Sequence, residues 1–267
     1  NLPPPCIRDR VSTTATLDGD EYVINGEKIF VTAGSRCTHI VVWATLDKAL
    51  GRAAIKSFIV PREHPGVTVE RLEHKLGIKA SDTAVIRFDN ARIPKDNLLG
   101  SPDINTEKSF SGVMETFDNT RPIVAAMAVG VARAALEELR KLLTAAGIEV
   151  SYDKPAHAQS APAAEFLRME ADWESASLLT LRSAWQADNR IPNSKEASMG
   201  KAKAGRVATD ITLKAVEMAG TLGYSEQTLL EKWSRDSKIL DIFEGTQQIQ
   251  LLVVARRLLG LTSAELK

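Results

Sequence analysis

TAVIRFDNARIPKDNLLGSPDINTEKSFSGVMETFDNTRPIVAAMAVGVARAALEELRKLL, residues 83–143, holds the reading that decides the fold. Its opening, TAVIRFDNARIP (83–94), is a β-rich run bounded by turn residues, as in a strand that pairs with neighbours. Its close, RPIVAAMAVGVARAALEELRKLL (121–143), repeats apolar residues at spacings of three and four and carries small residues along one stripe. That is a helix built for close approach to another helix, with Pro122 at a first turn or a local bend. The chain therefore changes character near residue 105.

Working outward, the segments upstream belong with the strand. EYVINGEKIFVT (21–32), HIVVWAT (39–45), KSFIVP (56–61) and GVTVERL (66–72) are short, rich in Val, Ile, Phe and Thr, and separated by Gly, Pro, Asn and Asp. The pair Asn25-Gly26 predicts a hairpin, since both central positions of such a turn want positive φ. Downstream, helical spacing covers about 107–143, 160–188, 195–221 and 245–259, broken by SYDKPAHAQSAPA (151–163), RIPN (190–193) and GTLGYSEQT (220–228). The expectation is an α+β chain: an antiparallel β domain over residues 1–104, then a four-helix bundle over 105–267.

With 267 residues, 44% of them hydrophobic, the chain can fill a continuous core. Lys plus Arg and Asp plus Glu both total 34, so no bulk field draws nucleic acid or an anionic membrane. Cys6, Cys37 and the four scattered histidines have no metal-ligand spacing. No apolar run is long enough to span a membrane and no leader is readable, which makes a cytoplasmic location the default and a mitochondrial matrix location the alternative.

Three constellations could carry chemistry. In KILDIFEGTQQIQLLVVARRLLG (238–260) an apolar helical run breaks at Glu244-Gly245-Thr246 and resumes as a second helix. A carboxylate between Ile242, Phe243 and a glycine is costly unless used, and burial favours its taking up a proton, as a general base must. The same residue could instead only cap a helix. Thr246 and the free N–H groups that follow could hold an anionic cofactor group. In FVTAGS (30–35), the two-residue period puts Phe30 and Thr32 on one strand face, either to back a planar ring and bond its edge or as ordinary core. Asp118 and Arg121, three apart on one helix, are either a solvated salt bridge or part of a ligand pocket.

Taken in order, these segments resemble the acyl-CoA dehydrogenase family, most closely its medium- and short-chain members, from about residue 11 to residue 260. DGDEYVINGEKIFVTAG and GIKASDTAVIRFDNARIPKDNLLG resemble the family's middle domain, FDNTRPIVAAMAVGVARAALE the first helix of its C-terminal bundle, and RDSKILDIFEGTQQIQ its catalytic segment. The resemblance implies a flavoprotein of fatty acid metabolism that introduces an α,β double bond into an acyl-CoA, with FAD as hydride acceptor. Glu244 would be the α-proton base, and Phe30, Thr32, Thr246 and Gln248 would contact the cofactor. Asp118, Arg121, Phe243 and Gly245 would border the acyl-CoA. Electron-transfer flavoprotein would reoxidise the flavin, and the assembly would be a homo- or hetero-oligomer, a tetramer by resemblance.

Three departures accompany it. The family's N-terminal helical domain and its Thr-Glu-x-x-Ala-Gly-Ser-Asp segment do not occur within residues 1–267, which open on NLPPPCIRDR (1–10). The family's Arg-x-x-Phe-Gly loop is here Glu149-Val150-Ser151-Tyr152-Asp153, and Glu repels a pyrophosphate. The Gln-x-x-Gly-Gly-x-Gly loop begins with Glu217 and keeps Gly220 and Gly223. The alternative expectation is thus a non-catalytic or partner subunit, or a fragment, of a heteromeric acyl-CoA dehydrogenase that does not bind flavin alone.

Overall fold

The computed structural model describes residues 11–104, 111–262 and 265–266. The change of character near residue 105 and the segment NLPPPCIRDR fall outside these residues. The chain separates into two compact units, one of residues up to Lys75 with Lys79–Val113, the other of Leu76–Ile78 with residues from Met114 onward.

The first unit is one seven-stranded sheet: β1 (Thr14–Asp18), β2 (Glu21–Thr32), β3 (His39–Thr45), β4 (Ile55–Pro61), β5 (Val67–Leu72), β6 (Thr83–Pro94) and β7 (Leu98–Leu99), in the order β5-β6-β2-β1-β3-β4-β7. All pairings are antiparallel except a brief parallel one between β1 and β3. β1 (TATLD) is a strand that the sequence reading did not anticipate. Alternation aims Ile24, Val42, Phe58, Val60, Ile86, Phe88 and Ile93 into one apolar core. Each large side chain sealed there contributes about 1.5–3 kcal/mol.

The expected hairpin at Asn25-Gly26 is corrected. β2 runs straight through these residues, and the turn lies at Gly19-Asp20, between β1 and β2. Asn25-Gly26 is instead a bulge against β6: the register shifts between Ile24 and Gly26, and Asn25 Oδ1 accepts from the Asn90 N–H at 2.8 Å. Positive-φ chemistry serves bulges as well as turns, so the dipeptide was a true signal for the wrong feature.

The second unit is helical: α1 (Ser111–Ala145), α2 (Ala161–Asp188), α3 (Ser194–Ala219), the single turn α4 (Thr221–Tyr224), α5 (Leu230–Leu240) and α6 (Gln247–Leu259). The four anticipated helices are α1, α2, α3 and α6; α5 is the helical run that leads into Glu244. Ala125, Ala128, Ala132, Ala135 and Leu139 of α1 join Phe166 and Met169 of α2 and Ala204, Val207, Ala208 and Ile211 of α3 in one core. Small residues let backbones approach: a Cβ on Gly205 of α3 would sit 2.9 Å from the Asp241 Cα, at the end of α5. Among the described residues, no helix is long and apolar enough to cross a membrane.

Pro122 lies inside α1, not at its first turn. Proline has no N–H for the carbonyl four residues back, which leaves the Asp118 C=O without its helical partner. Asn193, buried at the start of α3, fills that place: its Nδ2 donates to the Asp118 O at 3.1 Å and to the Ser183 O at 3.1 Å.

Candidate active site

α5 ends with Asp241 as its C-cap, and α6 begins after Thr246, whose hydroxyl accepts from the Ile249 N–H at 3.5 Å. Between them the backbone turns sharply, with Glu244 at φ 54° and Gly245 at φ 96°. A non-glycine residue in this left-handed region costs on the order of 1–2 kcal/mol, so the surroundings must hold it there. A Cβ on Gly245 would approach Gln250 Nε2 to 2.3 Å, which reserves that position for glycine.

The restraint comes from inside. Gln250, fully buried on α6, donates from Nε2 to the Glu244 O (3.0 Å) and the Gly245 O (3.2 Å). Lys201 of α3, also fully buried, donates from Nζ to the Gly245 O at 2.7 Å. The half-buried Glu244 side chain points to α1, where the Thr120 hydroxyl donates to its Oε2 at 2.6 Å. One turn of α1 carries Arg121, 4% exposed, which donates to Asp118 Oδ1 at 2.6 Å and lies 5.7 Å from the centre of the Phe117 ring.

This is a dense set of charges for a protein interior. Burial pushes the Lys201 ammonium down to about 8, while the Asp241 and Glu244 carboxylates pull it back up and Arg121 pushes it further down. Burial likewise lowers the Arg121 guanidinium from its usual value, against the pull of Asp118 and Glu244. Three buried polar atoms nearby, Arg121 Nε, Asp241 Oδ1 and Gln250 Oε1, have no hydrogen-bond partner among the described residues.

The second unit thus brings Asp118, Arg121 and Glu244 together. Phe243 packs against the helical core, Thr246 caps α6, and Gln248 is exposed on its first turn. Phe30 and Thr32 lie in the first unit, at the end of β2. The two-residue period does not hold there: the register against β6 shifts between Lys28 and Val31, and Phe30 takes φ 58°. The bulge leaves Phe30 65% exposed and Thr32 exposed too, so neither is core.

Sequence reasoning missed Lys201, Thr120 and Gln250. One signal was available for Lys201: it sits in the stripe Ala197, Lys201, Ala204, Ala208, at the spacing of an inward helix face, where an unneeded lysine is rare.

Residues 8–91 match the family profile "Acyl-CoA dehydrogenase, middle domain", and residues 110–259 match "Acyl-CoA dehydrogenase, C-terminal domain". The chain belongs to the acyl-CoA dehydrogenase family. It is 40% identical over 248 residues to the mitochondrial short-chain specific acyl-CoA dehydrogenase of Bos taurus, covering 93% of this chain and 58% of that protein. It is 36% identical over 249 residues to the caffeyl-CoA reductase-Etf complex subunit CarC of Acetobacterium woodii, covering 93% of this chain and 64% of that one. The structure of butyryl-CoA dehydrogenase from Megasphaera elsdenii superposes with a TM-score of 0.85 at 33% identity, covering 97% of this chain and 67% of that one. The chain therefore spans about three-fifths of the length of the curated relatives it matches.

Proposed function

We propose that this acyl-CoA dehydrogenase chain carries the proton-abstracting half of an α,β-desaturation, with Glu244 as the base and a short acyl-CoA thioester as substrate. The observation that carries the reading is the Glu244-Gly245 turn, which holds a carboxylate in a strained backbone and fixes its Oε2 against Thr120. A base so placed meets the substrate without reorganising, which is where positioned side chains gain rate. Two of the relatives, those from Bos taurus and Megasphaera elsdenii, are named for short-chain acyl-CoA and butyryl-CoA, and that supports the substrate class.

The thioester α-proton is weakly acidic, so charge on the carbonyl oxygen must be met as the proton leaves. The Glu244 backbone N–H is the donor that the resemblance assigns to it. Asp118, Arg121 and Gly245 border the acyl-CoA in this reading, and Phe243 supports the turn from the core side.

FAD, when bound, supplies the hydride acceptor. The residues present fit it in part. The exposed Phe30 ring offers an apolar face to a planar group, and Thr32, two residues on, is an exposed hydroxyl residue. Thr246 opens the N-terminus of a 13-residue helix, suited to a phosphate, with Gln248 on its first turn. An electron-transfer flavoprotein as redox partner is supported by the Etf complex to which the Acetobacterium relative belongs.

A second reading, a subunit that binds flavin only with a partner chain, is favoured by one loop. The Glu149 side chain stands 80% exposed, with Lys154 Nζ 3.9 Å from its Oε2. Tyr152 is held by Arg140 and donates to Glu170 Oε2 at 2.7 Å, drawing the loop back onto its own helices. Flavin content of the purified chain, alone and with candidate partners, separates the two readings. For the base, Glu244→Gln should cut desaturation about 100-fold or more in the assembled enzyme while leaving the fold intact. Retention of more than about a tenth of the wild-type rate would assign the proton to another group.

A further inference from the structure

We propose that Lys201 is a positioning residue for Glu244: its buried ammonium tethers the Gly245 carbonyl and thereby keeps the Glu244 carboxylate turned toward Thr120. The inference rests on reading Glu244 as the base, and it adds a residue on a different helix to the apparatus that presents it.

Within one turn or two of Lys201, α3 buries the small residues Ala197, Ala204, Gly205 and Ala208. An ammonium there loses its hydration and must be offset by charge and hydrogen bonds, or the position would be better filled by a methionine. What faces it is specific. From the turn come the Gly245 carbonyl at 2.7 Å and the Glu244 charge; from the end of α5 comes Asp241, 8% exposed; from α1 comes the Arg121 guanidinium, itself paired to Asp118. Two left-handed residues in succession will not persist unless their carbonyls are held. Three hydrogen bonds hold them, and Lys201 supplies the charged one, the shortest of the three and the type that resists loss best. Gln250 pins the same carbonyls from α6, so α3 and α6 together clamp the turn from two sides.

The role predicts coupling in both directions. If Glu244 and Lys201 share an electrostatic environment, removing the carboxylate makes the ammonium easier to discharge, and by linkage the ammonium acts on the carboxylate with the same free energy. A lysine that only filled space would not report on Glu244.

The test follows the Lys201 Nζ signal by nitrogen NMR through a pH titration of the full chain, as wild type and as Glu244→Gln. The wild-type midpoint should lie near 8 and should move to lower pH in the variant. A midpoint that is the same in both proteins overturns the proposal. A second arm compares Lys201→Met with Lys201→Arg in the assembled enzyme. The methionine variant should lose about tenfold or more in kcat with KM changed less than about twofold, and the arginine variant should recover most of that loss. Equal, wild-type kcat in both overturns the tether. If Lys201→Met does not accumulate as folded protein, the titration decides alone. Should Glu244→Gln keep its desaturation rate, the reading of the base fails, while the midpoint shift still judges the link between Lys201 and the turn.

Discussion

Among the described residues, each unit holds one lysine that burial pushes down to about 8, Lys28 on β2 and Lys201 on α3, and the two differ in their company. At Lys28 it is burial that weakens the ammonium's hold on its proton. At Lys201 burial works against two carboxylates, Asp241 and Glu244, and the ammonium holds a backbone carbonyl. The first is a charge that the sheet tolerates; the second is a charge around which a turn is built. The sheet unit draws its stability from apolar packing, whereas this end of the helical unit spends part of its stability on presenting a carboxylate.

That contrast can be broken or sharpened by substitution. The largest effect belongs to the sheet core. Phe58 is fully buried, with its ring 5.0 Å from that of Tyr22 in an edge-on contact. Phe58→Ala should destabilise the first unit by about 3–5 kcal/mol, read by denaturant unfolding, and should leave the Glu244 turn untouched. A smaller effect belongs to the polar support of α1. Asn193→Ala removes the donor that serves the Asp118 carbonyl opposite Pro122, and should cost about 1–3 kcal/mol. In a Pro122→Ala background, where the helix supplies its own N–H, that cost should shrink measurably; an unchanged cost would show that the proline is not the reason for the asparagine.

The smallest effect separates the two lysines. A lysine lowered from its ordinary 10.5 to about 8 binds its proton more weakly in the folded chain than in the unfolded one. Its penalty is therefore fully present below about pH 8 and is relieved as pH rises from there toward 10.5. Lys28→Met should be neutral or slightly stabilising at pH 7, by under about 1 kcal/mol after allowance for solvent screening, with the gain vanishing at high pH. Lys201→Met, by contrast, should destabilise at pH 7, because it strips a donor from the Gly245 carbonyl. Thermal melts of both variants across this pH range check the pair.

Much of this architecture is legible in the sequence, because pattern and punctuation are local. The run 83–94 is β6 to the residue, and the helical spacing of 121–143 lies wholly within α1. The Phe-Glu-Gly-Thr break between α5 and α6 marks Glu244 without any structure. What failed was also local in origin. Asn25-Gly26 supplies positive φ, which a bulge uses as readily as a hairpin. Phe30 leaves the strand period because a second bulge follows Lys28. Thr120, Lys201 and Gln250 stayed hidden for a different reason. Thr120 and Gln250 are unremarkable within their own helices, the inward stripe of α3 flags Lys201 without saying what it serves, and the role of each exists only once three helices converge on one turn.

The central claim, that Glu244 removes the proton next to the thioester carbonyl, is tested most directly where hydride transfer cannot occur. An acyl-CoA whose β-carbon is replaced by sulfur can lose its α-proton but cannot be desaturated. Incubated with the assembled enzyme in deuterated water, it should exchange its α-hydrogen with wild-type protein, and exchange should fall about 100-fold or more with Glu244→Gln. Undiminished exchange in that variant would contradict the account.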